Sequence, residues 1–349
     1  MYLENIFSAP DIKKQLAEEI AMFITCDKNL KGLFKRAVIA PNTMRVIRIP
    51  NIVDTLTKTS DTLDIIERHL EDYLELKRGC FPRFYFISND ELLEILAKSQ
   101  NVDAVQKHLR KCFENIIKIQ ITGDGRVATI AAMVSAEGEV VPFNKASLQA
   151  RGQVEVWLDS LQKNMYEVIQ KLIKEGLTDL IENKNKSRNN WVLSHYGQVV
   201  SVVSHISWCA QTEEAINEMA NNPAALEEAF DSNVSQLSQL TDLVRSNITS
   251  LQRKIVVALI TQDVHARDIV EKLKVDNVDS LSNFAWQQQL RYYWDLERET
   301  CVVKQVTAVM NYGYEYLGAT SRLVITPLTD RCWITITGAI NMQLGAAPA

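Results

Sequence analysis

From Phe230 to Leu259 apolar residues recur at three- and four-residue steps, at Phe230, Val234, Leu237, Leu240, Val244, Ile248, Leu251, Ile255 and Leu259. No Gly or Pro interrupts them. Such a stripe is one face of an α-helix. Asn222-Pro223 supplies an N-cap followed by Pro at the first helical position. As one element this is a rod on the order of 50 Å at ~1.5 Å per residue, and a rod of that length implies an extended body. The stripe is expected to pack against helices of the same chain, the alternative being a partner helix.

The same period recurs elsewhere. Leu56, Leu63, Ile66, Leu70 and Tyr73 mark a helix from about Asp54 to Leu76, and Val105, Leu109 and Phe113 mark another. Val154, Trp157, Leu158, Leu161, Met165, Val168 and Leu172 mark a third, with Gly176 as its expected end. Trp191 to Ala210 leans helical despite Gly197. Between these, Ile117, Ile119 and Ile121 alternate with polar residues, and turn residues at 123–125 and 137–138 separate runs at 127–134 and 140–143. That pattern predicts a small antiparallel β meander. Val302–Met310 and Tyr312–Leu317 predict a strand pair meeting at Asn311. Pro327 and Thr329-Asp330 signal a helix start, although Cys332–Thr337 alternates as a strand would.

Pro82 to Leu96 predicts a strand running into a helix. Phe84, Tyr85, Phe86 and Ile87 are strand formers with no polar residue among them, so both faces should be covered. Ser88 and Glu91 stand at capping-box spacing. On that basis Ser88→Ala should cost about 1 kcal/mol.

Composition narrows the function. Hydrophobic residues make up 46% and charged residues 23% of the 349, as in folded protein. The net charge of −5, with no basic block, argues against gripping nucleic acid or an anionic membrane. Ile255–Ile260 is the longest apolar run, too short to span a bilayer, and the residues after Met1 form no secretory signal. The six cysteines are scattered without Cys-x-x-Cys spacing, which fits reduced thiols. No complete phosphate loop, HExxH, Gly-x-Ser-x-Gly or Rossmann fingerprint occurs. The five histidines, among them His195 and His205, share no metal-ligand spacing. No catalytic centre and no metal site are expected.

Phe81-Pro-Arg-Phe-Tyr-Phe-Ile-Ser-Asn-Asp-Glu-Leu-Leu-Glu-Ile-Leu96 resembles a signature of dynein heavy chains. Tyr2-Leu-Glu-Asn-Ile-Phe-Ser8, Ala132-Met-Val-Ser-Ala-Glu-Gly-Glu139 and Val154-Glu-Val-Trp-Leu158 resemble that family's linker. Tyr312-Gly-Tyr-Glu-Tyr-Leu-Gly318 and Arg322-Leu-Val-Ile-Thr-Pro-Leu-Thr-Asp-Arg-Cys332 resemble the start of its first AAA+ module. The resemblance implies a mainly α fold: an elongated linker of stacked helical bundles over 1–295, with the β meander at about 117–143. It ends in the α/β start of an AAA+ module at 296–349.

The family's function would be force transmission. The linker swings across the AAA+ ring with the ATP cycle and drives minus-end-directed movement along microtubules in cilia and flagella. Leu323, Val324, Ile325, Thr326, Pro327 and Leu328 would form the adenine-pocket loop. The parent motor would use ATP or ADP with Mg²⁺. Partners would be the rest of the ring, intermediate and light chains, and microtubules through a stalk; nucleic acid and membrane would not be partners. The location would be cytoplasm and cytoskeleton, in the axoneme. The sequence stops at Ala349, before the family's phosphate loop, so the chain alone is expected to neither hydrolyse ATP nor bind it at micromolar concentration. Ala319 and Thr320 stand where the family often has Asn. A helical scaffold without motor context, or a cytoplasmic dynein, remains as an alternative.

Overall fold

The computed structural model describes residue 7 and residues 10–39, 41–99, 101–123, 128–143, 148–182, 187–319 and 323–346. The motif at 2–8, the turn at 123–125, the loop at 182–190, Thr320, Arg322 and the terminal residues lie wholly or partly outside these. The elements in chain order are α1 (Pro10–Gln15), α2 (Ala17–Ile39), α3 (Thr43–Val46) and α4 (Ile52–Cys80). A 3₁₀ turn (Pro82–Phe86), α5 (Asn89–Ala97) and α6 (Val102–Cys112) follow. Next come β1 (Lys118–Thr122), β2 (Thr129–Val134) and β3 (Val140–Pro142), then α7 (Val154–Glu182), α8 (Arg188–Ser194) and α9 (Gly197–Glu218). The chain continues through α10 (Ala225–Arg245), α11 (Ser250–Val275) and α12 (Phe284–Gln287) to β4 (Arg291–Asp295), β5 (Thr300–Gln305), β6 (Ala308–Asn311) and α13 (Pro327–Asn341). The chain is mainly α, with two three-stranded sheets ordered β1-β2-β3 and β4-β5-β6. It divides into two compact units: 1–113 with 121–130 and 147–161, and 114–120 with 131–146 and 162–349.

In the first unit the aromatic run after Pro82 is a 3₁₀ turn and not the expected strand. Pro82 fixes the first φ, and Phe84 and Ile87 donate their N–H groups to the carbonyls of Phe81 and Phe84 at 3.0 and 3.1 Å. Phe81, Phe84 and Ile87, three apart, are buried, while Tyr85 and Phe86 are 60% and 75% exposed. Only one face is covered, because period three, not period two, governs the run. Phe81 packs edge-on against Phe84 at 5.0 Å and tilted against Phe113 at 6.4 Å. Ser88 is the N-cap of α5, but its hydroxyl meets only the Glu91 carboxylate, at 3.1 Å. Lys111 holds that carboxylate at 2.6 and 2.7 Å, so the expected capping box is not closed. Deeper in this unit Lys77 of α4 is paired with Glu155 at the start of α7, both side chains being almost fully buried.

In the second unit the expected rod is two helices, α10 and α11, packed on each other. At ~1.5 Å per residue they are about 32 and 39 Å long. The apolar period continues through Ser246–Thr249, but a complete capping box interrupts the helix there. Thr249 Oγ1 accepts from Gln252 N at 3.2 Å, and Thr249 N donates to Gln252 Oε1 at 3.0 Å. Arg253 donates to the carbonyls of Val244 and Ser246 at 2.7 and 3.3 Å, closing the end of α10. α10 begins at Ala225, after a turn in which Asn222 Oδ1 accepts from Ala224 N at 3.0 Å.

Gly176 does not end α7, which continues to Glu182. A Cβ there would lie 2.6 Å from Val199 Cγ1, so the glycine admits the close approach of α9. Tyr312–Leu317 is not a strand. The third strand of the C-terminal sheet is β4, paired with β5 from Arg291↔Lys304 to Asp295↔Thr300. The turn at Val306, whose φ is 51°, divides the predicted 302–310 strand into β5 and β6. The meander is present as β1–β3, and the start signals at 326–330 do begin a helix, α13.

The two caps predict different losses. Thr249→Ala is expected to lower stability by about 1 kcal/mol, and Ser88→Ala by less, because its hydroxyl meets no backbone N–H. Denaturant midpoints of the two variants check the order.

Candidate functional site: a bonded segment and an apolar cavity

After β6 the chain runs without helix or strand from Tyr312 to Ala319, with Tyr314 and Gly318 at positive φ, and within the second unit its polar groups are met from three directions. From β3's approach, Glu139 Oε2 accepts from the Tyr316 hydroxyl at 2.7 Å, and Glu139 Oε1 accepts from Gly197 N at 2.7 Å. Gly197 is the first residue of α9, so a buried carboxylate satisfies a helix N-terminal donor on its positive end. From α9, Gln198 Nε2 donates to the Tyr312 hydroxyl at 2.8 Å and the Glu315 carbonyl at 2.7 Å, while its Oε1 accepts from Leu317 N at 2.9 Å. From the residue pair before β1, Asn115 Nδ2 donates to the Leu317 carbonyl at 2.7 Å and to Glu137 Oε2 at 3.0 Å. Glu114 N donates to Glu315 Oε1 at 3.3 Å.

Sterics complete this latch. Gly318 has φ +63°, and a Cβ there would lie 2.6 Å from Asn115 Nδ2. A Cβ on Gly197 would lie 2.8 Å from Ala319 Cβ. Burial pushes the Glu139 carboxyl above its ordinary range, against the lowering bonds from Gly197 and Tyr316. Burial first, and then the adjacent Glu139 charge, push the Tyr316 hydroxyl far above its own range. The tyrosine therefore keeps its proton and donates, while burial favours the protonated form of the Glu139 carboxyl.

Leu323 and Ile325 line a cavity of about 250 Å³ with Leu317, Ala319 and Trp333. Ile255 and Ala258 of α11 also line it. The six residues expected to form the adenine loop thus divide. Leu323 and Ile325 border the cavity. Val324 and Leu328 are 68% and 72% exposed, apolar surface that packing within the chain leaves uncovered. Thr326 caps α13, its Oγ1 accepting from Thr329 N at 3.4 Å, and Pro327 is in the first turn of that helix.

Sequence patterns single out none of Asn115, Glu139, Gln198 or Trp333. A signal existed for two of them: Gln198 is a polar residue in the apolar run 191–210, and Glu139 a carboxylate beside an apolar strand. Among the described residues no group of three or more His, Cys, Asp or Glu side chains is arranged to hold a metal ion. The histidines are engaged separately, His69 with Glu19 at 2.8 Å, His195 with Asp179 at 2.8 Å and His205 with the Leu290 carbonyl at 2.9 Å. All six cysteines are free. Burial pushes the Cys112 and Cys301 thiols up to about 12, which leaves neither as a thiolate nucleophile at neutral pH.

Residues 1–176 match the family described as dynein heavy chain, N-terminal region 2. The chain belongs to the dynein heavy chains. Residues 312–349, beginning at the first tyrosine of the latched segment, match the hydrolytic ATP binding site of the dynein motor region. Human dynein axonemal heavy chain 6 is 43% identical over 100% of this chain and 9% of its own length. Mouse dynein axonemal heavy chain 2 is 40% identical, covering 100% of this chain and 8% of its own. The Chlamydomonas reinhardtii dynein-1-beta heavy chain of the flagellar inner arm I1 complex is 39% identical, again over 100% and 8%. The chain therefore spans less than a tenth of the length of these curated relatives. No described helix is long and apolar enough to cross a membrane.

The buried carboxyl of this dynein segment predicts a pH dependence. Above its ordinary value of 4.5 the unfolded chain has released the Glu139 proton while the folded chain still holds it. Stability contributed at this site is then full below that value and falls as pH rises through the raised folded value. Glu139→Gln has no proton to lose, so the difference in unfolding midpoint between wild type and variant should shift across that window. A difference independent of pH would contradict the role given to burial.

Proposed function

We propose that residues 1–295 are the C-terminal part of a dynein linker and residues 296–349 the start of the first AAA+ module. The linker transmits force by swinging across the ring as ATP is turned over, driving minus-end-directed movement on microtubules. The observation that carries this reading is the latch. It bonds the segment leading to the nucleotide loop, 312–319, to the meander and to α9, so a displacement of that segment is passed to both. The names of the relatives are those of axonemal and flagellar chains, which favours a location in the cytoskeleton of a cilium or flagellum over a cytoplasmic dynein.

Leu323, Val324, Ile325, Thr326, Pro327 and Leu328 form the base-side wall of the adenine pocket in this reading. The apolar surface left open at Leu323, Val324 and Leu328 suits the flat face of a purine. The nucleotide would be ATP or ADP with Mg²⁺, whose phosphates are the source of the energy. The partners are the remaining modules of the ring, intermediate and light chains, and microtubules through the stalk.

The test uses a heavy chain that carries this sequence. Tyr316→Phe with Asn115→Ala removes latch bonds, each worth about 1–3 kcal/mol, without touching the nucleotide loop. The expected outcome is retained ATP turnover with slowed microtubule gliding. Normal gliding at normal turnover would overturn the reading. Val324→Ser is expected to raise KM for ATP at least about threefold by removing apolar contact with the base.

A further inference from the structure

We propose that the end of the α2–α4 helix pair, from the last turns of α2 through α3 to the first turn of α4, docks an acidic amphipathic helix of a separate polypeptide. The whole surface belongs to the first unit, so the proposal does not rest on the linker swing. From Lys28 to Val53 the sequence holds six basic residues and no acidic one, in a chain whose net charge is −5. Apolar residues space these cations out, so they form no block in the sequence. α2 and α4 pack on each other, and the stretch between them gathers the cations at one end of the pair.

Lys28, Lys31, Lys35, Arg36, Arg45 and Arg48 are all exposed. Lys31 pairs with Asp27 at 2.6 Å. Among the described residues nothing pairs the other five. Like charges gathered on one surface raise its potential and attract the opposite charge. The negative end of α2 accounts for Arg36, in its last turn. It does not account for Arg45 and Arg48, which lie beyond it.

Between the cations the same surface exposes large apolar side chains. Phe34 and Val38, one turn apart on α2, are 66% and 77% exposed. Met44 and Ile47, at α3, are exposed too, as is Val53 at the start of α4. Apolar surface left open in this way marks an interaction site. The backbone beneath it is held in place. Met44 N donates to Asn42 Oδ1 at 3.0 Å, and Arg45 N and Ile47 N donate to the carbonyls of Asn42 and Thr43 at 2.9 and 3.0 Å.

The complement is a helix with carboxylates beside an apolar face. The apolar face lies on Phe34, Val38, Met44 and Ile47, and the carboxylates reach the cations around them. A permanent joint within one heavy chain would have an apolar core depleted in charge. A surface half made of Lys and Arg has the composition of an interface that forms and dissolves, with charge steering the arrival of the partner. A segment built to lie on a bilayer carries Trp, Phe and Leu opposite its cations. Here Phe34 is the single aromatic residue of the stretch, and the exposed apolar residues around it are Val, Ile and Met.

Fluorescence anisotropy provides the test, with a labelled peptide that has Leu at three- and four-residue steps and Glu elsewhere. It is titrated with a heavy chain that carries this sequence and with the 349-residue chain itself. One comparison peptide has Ser in place of Leu, the other Lys in place of Glu, and vesicles of phosphatidylserine and phosphatidylcholine are added as competitor. The expected result is saturable binding of the first peptide alone, to both proteins, weakened by added salt. Arg45→Glu with Arg48→Glu should weaken it about tenfold, and Phe34→Ser with Val38→Ser by a similar factor. These side chains are exposed, so the fold is kept. Lys171→Glu with Arg298→Glu makes the same change of charge on exposed positions of the second unit and should leave binding unchanged. The proposal is overturned by the absence of saturable binding, by equal binding of either comparison peptide, by unchanged affinity in either variant of the helix-pair end, or by an equal loss in the second-unit variant. Binding to the 349-residue chain but not to the heavy chain also overturns it, assigning the surface to another segment of the same chain. Displacement of the peptide by the vesicles overturns it in favour of a membrane.

Discussion

A single buried carboxylate, Glu139, is the constraint around which the second unit is arranged. Burying a carboxylate is costly unless its oxygens are met. Here one oxygen is met by the first N–H of α9 and the other by the Tyr316 hydroxyl, both at 2.7 Å. Each donor is on a different part of the chain, so the carboxylate is satisfied only when the meander, the helix start and the segment after β6 come together. Gln198 reinforces the arrangement by using both amide hydrogens and its carbonyl on the same segment. The result is a polar joint with few alternative geometries, set among apolar helix contacts that would tolerate more.

Glycines set how closely the helices approach that joint. Gly176 lets Val199 of α9 lie against α7, and Gly197 lets Ala319 lie against the start of α9. A side chain at either place would move α9 relative to the latch. Beyond Ala319 the character changes: residues 323–328 expose apolar surface and are held mainly through the Thr326 cap and the cavity contacts of Leu323 and Ile325. The polar joint thus leads into a more open apolar loop.

Much of the helical fold was legible because apolar residues at three- and four-residue steps report burial directly. The period was less able to show where a helix stops. Between Val244 and Leu251 the stripe continues unbroken, and the stop is written in Thr249 and Gln252, two polar residues that spacing by apolar contacts passes over. At 81–87 strong strand formers concealed a burial period of three. Gly176 carries the mark of a terminator but serves a close contact. The adenine-loop role proposed for 323–328 rests on family resemblance alone, since an apolar hexapeptide with a proline has no chemistry of its own. The latch was hidden for a different reason: its bonds join residues from 22 to 202 positions apart, and no local pattern encodes such pairs.

The ion pair between Lys77 and Glu155 bears on how the first unit is made. Its two members are 78 positions apart. During synthesis α4 is complete long before residue 155 leaves the ribosome, and until then burial of Lys77 would leave an ammonium without a counter-charge, at a cost of several kcal/mol. The first unit is thereby kept from closing its core early. Its final packing waits for the start of α7, a delay written into the order of translation by one lysine.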